Sequence, residues 1–258
     1  MIYFVSDVHL GAGDSHQAQR TERAFCRWLD TVAADATHLY LLGDIFDFWF
    51  EYRRVAPKGF VRVLGRLAEL TDRGVRVTLY TGNHDMWCYD YLTRECGIRI
   101  EFAPRVEECA GCPIHLAHGD NLNVSGDVML SLMNGMFRSR VARWLFRWLI
   151  HPDLALKFGS WWSGKSRKSH GSEQVGVEML RPLVEYAKRH HREHDEVRSY
   201  IFGHMHLAHR HEEDGMEVLF LSDWSRDVAT YAALTTDATL GAKQNIELRT
   251  FQIDETVS

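Results

Sequence analysis

Short apolar runs and longer segments with helical periodicity alternate along most of this chain. Residues 2–6, 38–42 and 75–80 are apolar runs of strand length, whereas 17–34 and 58–73 carry apolar side chains at the spacing of an amphipathic helix. Further runs of strand length lie at 114–117, 199–202, 216–221, 228–235 and 245–253. This alternation predicts an α/β fold with a parallel or mixed sheet.

With 258 residues the chain can form one α/β domain with a large core, and we expect a single domain over 1–258.

Polar residues of metal-ligating type follow five of the predicted strands directly. Binding sites in such sheets form at the carboxyl ends of the strands. The five segments are Asp7-Val8-His9, Gly43-Asp44, Gly82-Asn83-His84-Asp85, His118-Gly119-Asp120 and Gly203-His204-Met205-His206.

The chemistry of these side chains predicts a centre for two divalent ions. Carboxylate, imidazole and amide groups without a thiolate suit Mn, Fe, Co or Zn, and Mn²⁺ is our first expectation. We expect the first ion to be held by Asp7, His9 and His206. We expect the second to be held by Asn83, His118 and His204, with Asp44 bridging both ions. Such a pair activates water for attack on phosphorus. The alternative is that these are unrelated polar loop residues and hydrogen-bonded core histidines.

Residues 121–170 interrupt the alternation of strands and helices. A helical run at 127–150 is followed by a basic segment with two tryptophans, and we expect a helical insertion that covers the site as a lid. Its apolar stripe is edged by arginines: Phe137, Val141, Trp144, Leu145 and Trp148 alternate with Arg138, Arg140, Arg143 and Arg147. This pattern is typical of a helix at an anionic membrane interface or around an acyl chain. The alternative is an ordinary amphipathic helix that packs on the core.

Composition and charge narrow the functional classes. The formal net charge of −5 argues against general attraction to nucleic acid, and we expect no nucleic-acid partner. Five cysteines with irregular spacing favour a reducing compartment over a disulfide framework. The Cys109-x-x-Cys112 motif predicts a turn between two strands better than half of a zinc site. No secretory leader or transmembrane run is visible, so we expect a cytoplasmic protein.

The order of the motifs resembles that of the calcineurin-like metallophosphoesterase superfamily. The chain contains D-x-H, GD-x-x-D, GNHD, HGD and GH-x-H in that sequence. The resemblance implies a four-layer α-β-β-α sandwich and the same metal ligands. It also implies that His84 contacts the scissile phosphate, either stabilising charge or protonating the leaving group, and that Asp47 orients His84. A local role for Asp47 in capping the loop after the strand is the alternative.

A closer resemblance is to the UDP-2,3-diacylglucosamine hydrolases of lipid A synthesis. It rests on Ser6-Asp7-Val8-His9-Leu10, Leu42-Gly43-Asp44-Ile45-Phe46-Asp47, the continuation Phe48-Trp49-Phe50-Glu51-Tyr52, Ala117-His118-Gly119-Asp120 and the insertion. It implies hydrolysis of the nucleotide-lipid pyrophosphate to UMP and 2,3-diacylglucosamine 1-phosphate, by a peripheral protein on the inner face of the inner membrane. This chain departs from the best-known members in carrying His84 where they have arginine.

The insertion also contains expected contacts for the lipid substrate. Asp127 resembles a substrate-contacting aspartate of that family, and we expect Ser163, Lys165 and Lys168 to hold the glucosamine and phosphates. A solvated basic loop is the alternative for the last three. Two other functions remain open from the sequence. One is a soluble phosphodiesterase of the same superfamily acting on a nucleotide or another phosphodiester, and the other is an inactive metal-binding scaffold. The complete set of ligands disfavours the scaffold.

Overall fold

A computed structural model of the protein describes residues 1–52, 54–122, 139–151, 154, 176–235 and 246–253. The helices are α1 (Ser15–Val32), α2 (Val61–Asp72), α3 (Tyr91–Cys96), α4 (Arg140–Leu149) and α5 (Arg181–Glu193), with a short 3-10 turn at Val177–Leu180. The first six strands are β1 (Ile2–Val5), β2 (His38–Leu42), β3 (Arg76–Tyr80), β4 (Arg99–Glu101), β5 (Arg105–Cys109) and β6 (Cys112–Ala117). The last five are β7 (Ser199–Phe202), β8 (His209–Glu213), β9 (Met216–Phe220), β10 (Val228–Leu234) and β11 (Ile246–Gln252).

The strands form two mixed sheets. The first has the order β11-β10-β1-β2-β3-β4, and β1 to β4 run parallel. The second has the order β5-β6-β7-β9-β8, with β6, β7 and β9 parallel and the two edge strands antiparallel. The carboxyl ends of parallel strands share one edge of a sheet, so the loops after β1, β2 and β3 are neighbours, as are those after β6 and β7.

Three apolar layers hold the sheets and helices together. Phe4 and Leu42 of the first sheet pack between the sheets against Leu116 and Ile201 of the second. Helices α1 to α3 cover the outer face of the first sheet, and α5 covers the outer face of the second. The alternation of inward and outward side chains along each strand makes this double burial possible. The expected four-layer α-β-β-α sandwich is therefore confirmed.

The predicted elements agree with the structure where the hydrophobic pattern is strong. Helix α1 begins after Asp14, whose carboxylate accepts a hydrogen bond from the N–H of Gln17. Helix α2 starts at Val61 rather than 58 because Phe60 takes a left-handed φ of 60°. The turn predicted between Cys109 and Cys112 is confirmed, since these residues pair across the β5–β6 hairpin.

Three strands and the helices α3 and α5 were not given bounds from the sequence. Strands β5 and β8 are edge strands rich in charged residues, and β4 has only three residues. Charged edge strands lack the apolar alternation that reveals a strand, because they have one partner and face water. Helix α3 has six residues, too few to show a helical period.

The predicted insertion lies mostly outside the described residues. Helix α4 is its described part and agrees with the second half of the helical run predicted at 127–150. Among the described residues there is no helix with both the length and the apolar character needed to cross a bilayer.

The tryptophan cluster under the first sheet allows a test of the core. Trp28 is fully buried and packs against Phe25, Trp224 and Tyr231. We expect Trp28→Ala to lower the free energy of unfolding in urea by about 3–5 kcal/mol because it leaves a large cavity. Trp144→Ala is the matched control, because Trp144 is 57% exposed. Equal effects of the two substitutions would contradict this packing.

Candidate metal centre

The five predicted ligand segments meet at one place, where the two sheets face each other. Asp7 and Asp44 follow β1 and β2 of the first sheet, whereas His118 and His204 follow β6 and β7 of the second. Main-chain hydrogen bonds join the loops within each sheet: the N–H of Asp7 donates to the Gly43 carbonyl (3.1 Å), and that of Gly203 to the His118 carbonyl (3.0 Å). Both sheets are therefore needed to assemble the site.

The backbone at this centre is unusual. Five of the seven predicted ligands have positive φ angles, although none is a glycine: Asp7 (54°), His9 (50°), Asp44 (53°), His204 (67°) and His206 (54°). Left-handed backbone is uncommon for residues with a Cβ and concentrates at functional sites. These five residues lie in the loops that follow β1, β2 and β7.

The side chains form overlapping groups that could hold metal ions. Nε2 of His206 lies 3.2 Å from Oδ1 of Asp7 and 3.2 Å from Nε2 of His9. On the other side of the centre, Nε2 of His118 lies 3.2 Å from Oδ2 of Asp44. The potential ligand atoms lie within 4.8 Å of one another in three groups, Asp7–His9–His206, Asp44–His118–His204 and His9–Asp44–His84. The structure thus brings together the histidines and aspartates singled out from the sequence.

A polar atom without a hydrogen-bond partner provides a test of whether this centre suits a cation. The side-chain oxygen of Asn83, the amide predicted as a ligand, is buried and accepts no hydrogen bond within the protein. An unpaired acceptor is costly to bury unless something else satisfies it. The carboxylates of Asp7 and Asp44 are also buried, and their ion pairs are with histidines. The residues present therefore fit divalent cations.

Two of the histidine rings have an oxygen acceptor on the Nδ1 side. Nδ1 of His118 donates to the Leu42 carbonyl (2.9 Å), which leaves Nε2 facing the centre. Nδ1 of His206 lies 3.9 Å from the carboxylate of Asp223, a residue that the sequence analysis missed. Such partners fix the tautomer and orientation of metal-ligating histidines. Asp223 follows β9, so it lies beyond the carboxyl end of a parallel strand, as the predicted ligands do.

The carboxylates and imidazoles of the centre shift one another's pKa values. Burial would raise the pKa of Asp7, but hydrogen bonding to His206 and the charges of His206 and His118 lower it to about 2. Burial lowers the pKa of His9 to about 3 and, together with His118, that of His204 to about 4. Near neutral pH, Asp7 is therefore anionic and His9 and His204 are neutral, which are the forms that bind metals. Burial would lower the pKa of His118 and His206, but the carboxylates of Asp44 and Asp7 raise it, so these two rings must release a proton when a metal ion binds.

Asp85 fastens two of the loops to each other. This fully buried carboxylate accepts hydrogen bonds from the N–H of Gly82 (2.7 Å) and from that of Ile45 (2.9 Å). Burial and the neighbouring charge of Asp44 raise the pKa of Asp85 to about 6. Asp85 belongs to the GNHD motif, but no role was predicted for it from the sequence. The contacts show that it holds the loops carrying Asp44 and Asn83 in register.

Asp47 contacts two histidines through different atoms. Its main-chain carbonyl accepts a hydrogen bond from Nδ1 of His84 (2.7 Å), and Oδ1 of its carboxylate lies 3.9 Å from Nδ1 of His9. The structure therefore places Asp47 next to His84, but it is the carbonyl that makes this hydrogen bond. The expected substrate contacts Asp127, Ser163, Lys165 and Lys168 lie outside the described residues.

Comparisons with known proteins agree with this geometry. Residues 1–208 match a family described as calcineurin-like phosphoesterase. A Porphyromonas gingivalis protein named UDP-2,3-diacylglucosamine hydrolase is 38% identical over 238 residues, covering 87% of this chain and 90% of its own. Proteins of the same name from Ectopseudomonas mendocina and Pseudomonas aeruginosa are 31% and 30% identical and cover 88% and 87% of this chain, and 91% of their own chains in each case.

Solved structures with low sequence identity also align with the chain. An archaeal phosphodiesterase aligns with a TM-score of 0.46 and 13% identity, covering 97% of this chain and 98% of its own. Zinc-bound Vps29 from Entamoeba histolytica aligns with a TM-score of 0.45 and 11% identity, covering 98% of this chain and 99% of its own.

The close packing around Gly203 leads to a test of the centre. A Cβ at this position would overlap the hydroxyl of Ser6 and lie 2.6 Å from Oδ2 of Asp7. We expect Gly203→Ala to displace Asp7 and weaken Mn²⁺ binding, measured by isothermal titration calorimetry, by about 10-fold or more. Gly65→Ala is the control, because a Cβ at Gly65 would meet no atom within 4 Å. Unchanged Mn²⁺ affinity in Gly203→Ala would show that the centre lies elsewhere.

Proposed function

We propose that this chain, which belongs to the calcineurin-like phosphoesterase family, hydrolyses the pyrophosphate bond of UDP-2,3-diacylglucosamine. The products are UMP and 2,3-diacylglucosamine 1-phosphate. The observation that carries this proposal is the set of aspartates, histidines and Asn83 gathered at the carboxyl ends of strands from both sheets. The substrate is proposed from the names of relatives that match the chain over most of its length.

Two divalent cations would occupy the centre, and we take Mn²⁺ as the physiological ion. The three residues assigned to the first are Asp7, His9 and His206. The three assigned to the second are Asn83, His118 and His204, and Asp44 would contact both. When bound, the two ions activate water and neutralise charge on the phosphate oxygens. Asp7, His9, Asp44 and His118 are buried, and Nδ1 of His118 donates to a main-chain carbonyl, which leaves its Nε2 facing the centre.

His84 is the residue we assign to proton transfer or charge stabilisation at the phosphate. Its ring is buried, and Nε2 lies 3.8 Å from Oδ2 of Asp44, at the edge of the metal centre. The Asp47 carbonyl can only accept, so Nδ1 of His84 carries a proton in every ionisation state. A second proton at Nε2 then gives an imidazolium that can donate to a phosphate or leaving-group oxygen. Asp47 acts here as an orienting residue.

The exposed side chains of helix α4 favour a substrate that is bound in a membrane. Its described side chains form an exposed apolar stripe of Val141, Trp144, Leu145, Trp148 and Leu149. The Tyr52 hydroxyl donates to the carbonyl of Ile150 (3.0 Å), which fastens the end of the helix near the segment that carries Asp47. We propose that this stripe, with Asp127, Ser163, Lys165 and Lys168, receives the lipid at the inner face of the inner membrane. The protein would then be cytoplasmic and peripheral.

The substrate can be tested directly by phosphorus NMR. Protein with Mn²⁺ and detergent-solubilised UDP-2,3-diacylglucosamine should convert the pyrophosphate signals into those of UMP and a sugar 1-phosphate. Because the chemistry requires the cations, EDTA should abolish the conversion. The control is bis(p-nitrophenyl) phosphate, a soluble phosphodiester without lipid or nucleotide. If only the control is hydrolysed, the substrate is a soluble phosphodiester and not the lipid.

Substitution of His84 separates proton transfer from metal binding. His84→Ala should lower kcat by about 100-fold or more while both ions remain bound, because only a transition-state interaction is lost. Asn83→Ala is the comparison variant, since it should lose a metal ion together with activity. Bound Mn²⁺ is measured by plasma mass spectrometry on the same samples. If His84→Ala also loses metal, His84 is a ligand rather than a proton donor.

A further inference from the structure

Glu51 has an unusually complete set of hydrogen bonds close to the centre. The side chain is buried, with 2% of its surface exposed. Oε1 accepts from Nε1 of Trp49 (2.8 Å). Oε2 accepts from the main-chain N–H groups of Tyr89 (2.8 Å), Asp90 (3.0 Å) and Tyr91 (3.2 Å). Four donors on one buried carboxylate make a strong local clamp, because bonds to a charged acceptor are stronger than neutral ones.

The Glu51 clamp connects two neighbouring segments of the chain, 47–51 and 84–91, and His84 belongs to the second. The N–H of Trp49 donates to the His84 carbonyl (3.0 Å), and the N–H of Glu51 donates to the Trp87 carbonyl (3.2 Å). Residues 47–51 therefore run alongside 84–87 as a short parallel ladder, with a bridge between Phe50 and Trp87. His84 lies at one end of this ladder, bonded to the Asp47 carbonyl, and the Glu51 clamp lies at the other end.

We infer that Glu51 is a positioning residue for His84: it fixes the ladder that presents the Asp47 carbonyl to Nδ1 of the ring. The inference rests on the proposed role of His84. A loop without this clamp could slide past its neighbour, and a displacement of the carbonyl by about 1 Å is enough to lower a rate substantially. The apolar contacts of the same segment are those of Phe50 with Met86 and Trp87 and those of Trp49 with Phe46 and Tyr91.

The role requires a carboxylate at position 51. A glutamine has one acceptor oxygen and one NH₂ group, so it would direct an N–H either at Nε1 of Trp49 or at the three main-chain donors. At least one donor would lose its partner in a buried environment. Glu51→Gln preserves size and shape, and therefore changes the clamp without creating a cavity.

A double-mutant cycle tests the connection between Glu51 and His84. With bis(p-nitrophenyl) phosphate and Mn²⁺, we expect Glu51→Gln to lower kcat by about 10-fold or more with KM and bound metal unchanged. In a His84→Ala background the same change should lower kcat by less than about 2-fold, because its effect passes through the missing ring. Equal losses in both backgrounds would overturn the inference and leave Glu51 a purely structural residue.

Two further measurements keep the test decisive. Trp49→Phe removes one of the four donors and leaves the carboxylate in place, and should show the same dependence on His84 if Glu51→Gln folds poorly. Glu69→Gln, on the exposed side of α2 beside Arg73, should change nothing. In ¹⁵N-histidine-labelled protein, the Nδ1–H signal of His84, assigned by its absence in His84→Ala, should broaden or shift in Glu51→Gln. This readout needs no substrate, so a persistent, unshifted signal refutes the positioning role even if the proposed activity is wrong.

Discussion

The rest of this structure depends on the contacts of one buried carboxylate, that of Asp44. Oδ1 accepts from the His84 N–H of the neighbouring loop, and Oδ2 faces His118 from the other sheet. Burial would raise the pKa of Asp44, but His118 and His84 hold it well below its usual value. An anion excluded from water requires partners on every side. The two sheets must therefore pack with their strand ends in register, because only that arrangement supplies those partners.

Much of the fold and most of the centre could be predicted from the sequence, for one physical reason. Parallel strands buried on both faces are apolar throughout, so a polar residue after such a run marks a strand end. Asp7, Asp44 and His118 all satisfy this rule. The charged edge strands β5 and β8 do not, because burial on one side gives a weak pattern.

Contacts between segments remote in sequence could not be predicted in the same way. Glu51 reads as one more charged residue in an aromatic segment, and its four donors follow only from the pairing of 47–51 with 84–87. The two atoms of Asp47 that face different histidines depend on the backbone path and side-chain rotamer. Sequence spacing indicates which residues are near the centre, whereas tertiary packing decides which atom of each makes the contact.

The five ligand residues with left-handed backbone conformations lower the stability of the folded protein. A left-handed conformation costs about 1–2 kcal/mol for a residue with a Cβ, and net stabilities of domains are about 5–15 kcal/mol. Five such residues at one centre therefore represent a strain comparable with the whole stability of a domain. The surrounding structure compensates with rigid apolar layers and with carboxylates, such as Asp85 and Glu51, that bond to main-chain N–H groups of the loops. Asp85 in particular bonds to the N–H groups of Ile45 and Gly82, which directly neighbour the ligands Asp44 and Asn83, so it opposes the relaxation of these loops although it is not one of the assigned ligands.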